Sequence, residues 1–145
     1  MSDNTARSFR DKWENNQKLA FAGTLDEGHE INRWILGRNG FTSNSALKAY
    51  LQSKVQILDA GCGNGRATAL LRECSSPERT HIVAIDLVAA EVAARNLADY
   101  PNIAVSQGDL LGDLSAFGRF DFIYCQEVLH HTADPRRAFL NLCGL

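Results

Sequence analysis

The chain has 145 residues, 45% of them hydrophobic and 22% charged, and 15 basic against 17 acidic side chains leave a net charge of −2. That is enough for one domain with a packed core, and the near-balance of charge excludes a global pull toward nucleic acid or anionic membrane. Met1 to Arg10 is polar, and neither a signal region nor a bilayer-length apolar run is visible, so a soluble, cytoplasmic protein is expected.

The first part of the chain, residues 1–52, is expected to form a helical and irregular cap or lid ahead of a core over 53–145. Trp13, Leu19, Phe21, Ile31, Trp34, Ile35, Leu36 and Phe41 are its apolar anchors, with Ile31, Trp34 and Ile35 at helical spacing. Gly40 is a helix stop, and Ser43 or Asn44 caps a short helix through Ala46, Leu47, Tyr50 and Leu51. From Val55 the rhythm changes. Val55–Ala60 reads as a buried strand and Arg66–Cys74 as a helix. His81–Asp86 is a second strand, Val88–Ala98 an alanine-rich helix broken by Pro101-Asn102, and Ile103–Gln107 a third strand. Phe120–Cys125 is a fourth, and Asp134-Pro135 opens a last helix through Phe139 and Leu142. Near-continuous apolar strands alternating with helices predict an α/β, doubly wound, mostly parallel sheet covered on both faces. Its crossovers should be right-handed, and a ligand should bind outside the carboxyl ends of the strands, at the switch in strand order.

The motifs fall at those ends. After the first strand comes Asp59-Ala60-Gly61-Cys62-Gly63-Asn64-Gly65-Arg66, three alternating glycines before a helix. Such a turn admits a ligand against bare backbone, and the helix start behind it suits a carboxylate or phosphate. The spacing differs from the dinucleotide pattern G-x-G-x-x-G, and no Lys-Ser or Lys-Thr follows, which excludes a P-loop. Asp86 ends the second strand, placed either to accept from both hydroxyls of a ribose or to cap the next helix. Asp109, after the third strand, is either a ligand contact or the acceptor of a local turn bond. Asp121 is expected to make structural bonds near the start of the fourth strand. Cys62, Cys74, Cys125 and Cys143 stand singly, with no C-x-x-C and no zinc-finger His, so reduced thiols and no metal site are expected.

The D-A-G-C-G-N-G segment resembles the first motif of the class I (Rossmann-like) S-adenosylmethionine-dependent methyltransferases. The resemblance extends from about Val55 to Leu142 through four motifs in order. It implies S-adenosyl-L-methionine as cofactor, with Asp59, Gly61, Cys62, Gly63 and Gly65 around the methionine moiety. It further implies Asp86 at the sugar, Asp109 and Leu110 at the adenine, Gln126 beside the methionyl part, and Leu87 as a further cofactor-binding residue. Glu127-Val128-Leu129-His130-His131 resembles the E-x-L-H-H turn of many small-molecule methyltransferases. His130 or His131 is there a candidate proton acceptor, or else one orders the loop while the other is solvated. Direct in-line displacement on a small-molecule acceptor is the implied reaction. The N-P-P-Y or D-P-P-Y element of amino-methylating nucleic-acid enzymes is absent from this position.

The chain departs from the pattern at Cys143-Gly144-Leu145, before the family's fifth strand and K-P-G-G-like turn. A sheet incomplete on its C-terminal side is therefore expected, in a fragment or a short member, with the fourth strand as an exposed edge that could pair in a homodimer. Three other readings compete. A tRNA-modifying methyltransferase is suggested by the E-V-L-H-H segment near Arg136-Arg137, although no basic, aromatic-interleaved stripe supports it. A cofactor-binding module without turnover is the second. A nicotinamide dehydrogenase is the third; it shares the glycine turn and Asp86 but needs a glycine at an offset this chain lacks.

Overall fold

The computed structural model describes residues 3–145; Met1 and Ser2, at the start of the expected cap, lie outside them. Four helices come first: α1 (Asp3–Asn15), α2 (Phe21–Leu25), α3 (Glu30–Arg38) and α4 (Asn44–Leu51). Then follow β1 (Gln56–Ala60), α5 (Arg66–Glu73), β2 (His81–Asp86), α6 (Ala90–Asn96), β3 (Ile103–Gln107), β4 (Phe122–Tyr124) and α7 (Pro135–Cys143). Short 3-10 turns span Ser115–Phe117 and Leu129–His131.

Local chemistry sets most of these boundaries. The α3 helix stops where Gly40 takes φ 78° and the Phe41 N–H turns back to the Leu36 carbonyl at 2.9 Å. Ser43 opens α4 by accepting from the Ala46 N–H at 3.1 Å. Asp134 does the same for α7 with the Arg137 N–H at 2.9 Å, and Pro135 fills the first position, where no N–H is needed.

The sheet is wholly parallel, in the order β3-β2-β1-β4. The central strand β1 places Ile57 beside Ile82 on β2 and Phe122 on β4, and Asp59 beside Ala84 and Tyr124. Successive residues point to opposite faces. Ile57 and Ile82 meet Leu36, Leu47, Leu51, Leu70 and Leu71 from α3, α4 and α5. Leu58, Ala60 and Ile85 meet Leu110, Ala138 and Leu142 on the other side. A third cluster, with Phe21, Cys62, Ala69, Ala93 and Leu97, packs α2, α5 and α6 around the glycine turn. Each fully buried leucine contributes about 1.5–3 kcal/mol.

Several expectations need adjustment. The fourth strand is Phe122–Tyr124 rather than Phe120–Cys125, because Phe120 N–H is drawn to the Leu145 carbonyl at 3.1 Å while Asp121 binds the start of β1. The helix expected over Val88–Ala98 runs from Ala90 to Asn96, since the N–H groups of Val88 and Ala89 are held by Asp86. Leu19 and Trp34, expected as buried anchors, are 45% and 43% exposed. Asp121 is structural: its Oδ2 accepts from Val55 and Gln56 N–H at 2.8 and 2.9 Å, which holds its pKa below the ordinary value.

Candidate functional site

The chain winds from β1 through β2 to β3 on one side and returns to β4 on the other, so the switch point lies between β1 and β4. A cavity of about 220 Å³ opens there, over the carboxyl ends of β1, β2 and β4. Its floor is the glycine turn. Gly61, Gly63 and Gly65 have φ of 85°, 55° and 84°, all in the region that favours glycine. All three also lack room for a side chain: a Cβ on Gly61 would meet the Val128 methyls, one on Gly63 would lie 2.9 Å from the Trp13 ring, and one on Gly65 would lie 2.8 Å from Leu97.

Two carboxylates bracket the turn. Asp59, on β1, is buried and accepts from the Thr68 hydroxyl at 2.6 Å. Burial pushes its pKa up to about 7; the Thr68 bond opposes this and the nearby Asp86 carboxylate adds to it. Asp86, at the end of β2, is only half-buried. Its Oδ2 accepts from the Gly63 N–H at 2.9 Å, and its Oδ1 from the Val88 and Ala89 N–H groups at 2.9 Å each. Asp86 thus opens the turn into α6, as the capping reading expects, and pins the glycine loop; of the about four lone-pair sites on a carboxylate, these bonds use three.

The rim comes from β4 and from the N-terminal helices. Glu127 is a non-glycine residue at φ 57°, a conformation costing about 1–3 kcal/mol; its carboxylate pairs with Arg38 at 2.5 Å. Helix α1 lies across the mouth. Phe9 meets the His131 ring edge-on at 4.8 Å, Trp13 rests on Gly63, and Lys12 stands 4.5 Å above the Trp13 ring. The segment behind α1 is tied to the loop itself. Asn64 donates to the Gln17 and Leu19 carbonyls at 3.1 and 3.0 Å, and Asn96 to Gln17 and Asn64 at 2.8 and 2.9 Å.

Of the residues singled out in the sequence, Asp59, Gly61, Cys62, Gly63, Asp86, Gln126 and His131 line the cavity, and Gly65 sits just behind them at the head of α5. Leu87 lines an adjoining cleft with Arg10, Glu14 and Gln107, on the far side of α1. Asp109 is not brought to the cavity. It is exposed and accepts from the Leu111 N–H at 2.9 Å, a local turn bond. Leu110 is buried in the layer with Leu58 and Ala60. His130 is exposed, its ring 3.9 Å from His131 and outside the lining. Partial burial and the neighbouring His130 lower the pKa of His131; Glu127 opposes and Lys12 assists, so the ring is held neutral near pH 7. The Cys62 and Cys125 thiols are pushed up by burial, the latter to about 12, so neither is a thiolate. Among the described residues no cluster of His, Cys, Asp or Glu could hold a metal ion. Phe9, Lys12, Trp13, Arg66 and Tyr124 also line the cavity. Sequence reading missed them as site residues, though Arg66, directly after the last glycine, and Tyr124, at the end of a strand, carried a positional signal.

A parallel doubly wound sheet with a glycine turn after β1 and carboxylates at the ends of β1 and β2 defines the Rossmann-like methyltransferase fold. The family model described as "Methyltransferase domain" matches residues 58–145, and the chain belongs to that family. A SAM-dependent methyltransferase from Aquifex aeolicus superposes with a TM-score of 0.62 at 18% identity, covering 92% of this chain and 64% of that one. The methyltransferase CalH, solved with SAH, gives 0.58 at 21%, covering 82% and 37%. At these identities the likeness concerns the fold. Among curated relatives, a ubiquinone biosynthesis O-methyltransferase of Xylella fastidiosa (strain M23) is 35% identical over 63% of this chain and 37% of its own length. The same enzyme of strain 9a5c is 28% identical over 98% of this chain and 57% of its own. A trans-aconitate 2-methyltransferase of Deinococcus radiodurans is 34% identical over 60% and 32%. The chain thus spans about a third to just over half of the length of these relatives.

Proposed function

We propose that the chain binds S-adenosylmethionine over the glycine turn and serves methyl transfer to a small-molecule acceptor in the cytoplasm. The observation that carries this is the bracketing of bare backbone at Gly61–Gly63 by Asp59 and Asp86. The residues present fit the group: Asp86 keeps a lone pair for a sugar hydroxyl, and Asp59 offers a buried carboxylate to a cationic ligand. When bound, the sulfonium supplies an activated methyl group open to in-line displacement. The protein's part is placement and water exclusion, from Phe9, Trp13 and Trp34 on the wall. His131, held neutral at the rim, is positioned to take a proton from an acceptor hydroxyl. Cavities for drug-sized ligands run to about 300–1,000 Å³; this one measures about 220 Å³, and we infer that α1 shifts outward on binding.

Isothermal titration tests the assignment: S-adenosylmethionine and its demethylated product should bind at micromolar levels and NAD should not. A folded protein that binds neither of the first two refutes it. A methyl-transfer screen over phenols, organic acids and tRNA then separates the small-molecule reading from tRNA modification and from binding without turnover. The named relatives, a ubiquinone-pathway O-methyltransferase and a trans-aconitate methyltransferase, support the first. Among the described residues no helix is long and apolar enough to cross a membrane. Self-association through the outer edge of β4 is also inferred, because Tyr50, packed on Phe122, and Val55 are each 45% exposed beside it. A monomer in size-exclusion chromatography at micromolar concentration would overturn that part.

A further inference from the structure

The acids on the cavity wall are already engaged, whereas its cations are not. Asp59 accepts from Thr68, Asp86 from three backbone N–H groups, and Glu127 is paired with Arg38. Arg66 and Lys12 line the same space. Among the described residues neither side chain has a hydrogen-bonded or ion-paired partner, and Lys12 only overlies aromatic rings. Arg66 is half-buried. Burial pushes its pKa down and Tyr124 opposes this, yet a guanidinium stays charged in proteins.

A second, independent observation comes from the end of β4. The Ile35 carbonyl can only accept, so Asn39 must turn its amide N–H2 toward it, at 2.8 Å. The same group donates to Gln126 Oε1 at 3.0 Å, and that oxygen also accepts from the Tyr124 hydroxyl. The Gln126 amide is thereby fixed in orientation, and its Nε2 is a buried donor with no acceptor. A buried donor left without an acceptor is destabilising. Around Tyr124 the cavity wall therefore holds a free guanidinium and, just beneath its surface, an orphaned amide donor.

We propose that Arg66 is the point in this cavity at which a ligand carboxylate is read, with the Gln126 amide as second donor and Lys12 at the rim. The planar fork of a guanidinium matches the two oxygens of a carboxylate. The inference rests on the proposed function and deepens it. The carboxylate has two chemical sources, the amino-acid end of the cofactor or an acidic methyl acceptor, and the same residues would serve either.

Wild type, Arg66→Gln and Arg66→Lys decide the matter by calorimetry in two arms. The first compares S-adenosylmethionine with its decarboxylated form. The second, on protein saturated with S-adenosylhomocysteine, compares 4-hydroxybenzoate with 4-hydroxybenzamide. In at least one arm the acid should bind wild type tenfold or more tighter than its neutral counterpart. Arg66→Gln should abolish that ratio, and Arg66→Lys, which keeps the charge without the fork, should retain part of it. Dependence in the first arm assigns the carboxylate to the cofactor, and dependence in the second to the acceptor. Absence of any Arg66-dependent preference in both arms overturns the proposal. Thermal melts confirm that the variants are folded, and the lysine variant carries the test should the glutamine variant not fold. Wild type that binds neither S-adenosylmethionine nor its product sinks the proposed function itself. Wild type that binds them with no Arg66-dependent preference sinks only this inference.

Discussion

Replacing Asp59 by Asn should stabilise the empty protein while weakening its hold on the ligand. Asp59 is buried on β1 with one hydroxyl donor, from Thr68 at 2.6 Å, and burial lifts its pKa from 3.8 to about 7. The folded state therefore keeps a proton on this carboxyl at pH values where the unfolded chain has lost it. The associated stability is fully present below about pH 4 and is lost as pH rises to about 7. At about 1.4 kcal/mol per tenfold change in proton affinity, the loss is roughly 4 kcal/mol by pH 8, a large part of a small domain's stability. Asn is neutral at every pH and its Oδ1 can still accept from Thr68. In urea unfolding, Asp59→Asn should match wild type within about 1 kcal/mol near pH 4 and exceed it by roughly 4 kcal/mol at pH 8. The same variant should bind S-adenosylmethionine at least tenfold more weakly at pH 8. Parallel pH–stability curves for the two proteins would refute the electrostatic account. Tighter or unchanged binding by the variant would refute the role of the charge toward a cationic ligand.

Gly61→Ala forces a side chain into a φ of 85° and against Val128, so it should cost about 1–3 kcal/mol in denaturant unfolding; adding Val128→Ala should recover only the steric part. Trp13→Ala removes the ring resting on Gly63, and stopped-flow measurements should show faster entry of S-adenosylhomocysteine with the final fold unchanged. His131→Gln should lower methyl transfer about a hundredfold or more while S-adenosylhomocysteine affinity in calorimetry changes less than threefold. The rate in wild type should rise with pH through a value below 6.5, where the ring loses its proton; a flat profile would remove His131 from the reaction.

The parts of this protein that were legible in its sequence are those whose energy is local. Positive φ at the alternating glycines, the stops and caps at Gly40, Ser43 and Asp134-Pro135, and the apolar strands all depend on residues within a few positions of one another. The parallel order and the placement of Asp59 and Asp86 at strand ends followed from strand–helix alternation. The extent of β4 did not, because Phe120 and Asp121 spend their hydrogen bonds on Leu145 and on the start of β1. Nor did the fate of Asp109 and Leu110, since a turn bond and a core position look alike in sequence to two ligand contacts.

Sequence alone determined that a glycine turn flanked by acids would stand at the head of a parallel sheet, because backbone dihedrals and residue spacing are properties of short segments. Only the tertiary structure decided that α1 lies over that turn, that Asp59 is driven toward neutrality, that the Arg66 side chain lines the cavity without a partner, and that Gln126 Nε2 is left without an acceptor. Those outcomes depend on desolvation and on pairings between segments far apart along the chain, such as Trp13 with Gly63 and Asn39 with Gln126. Nothing in a residue's near neighbours records which distant group will exclude its water or take its hydrogen bond.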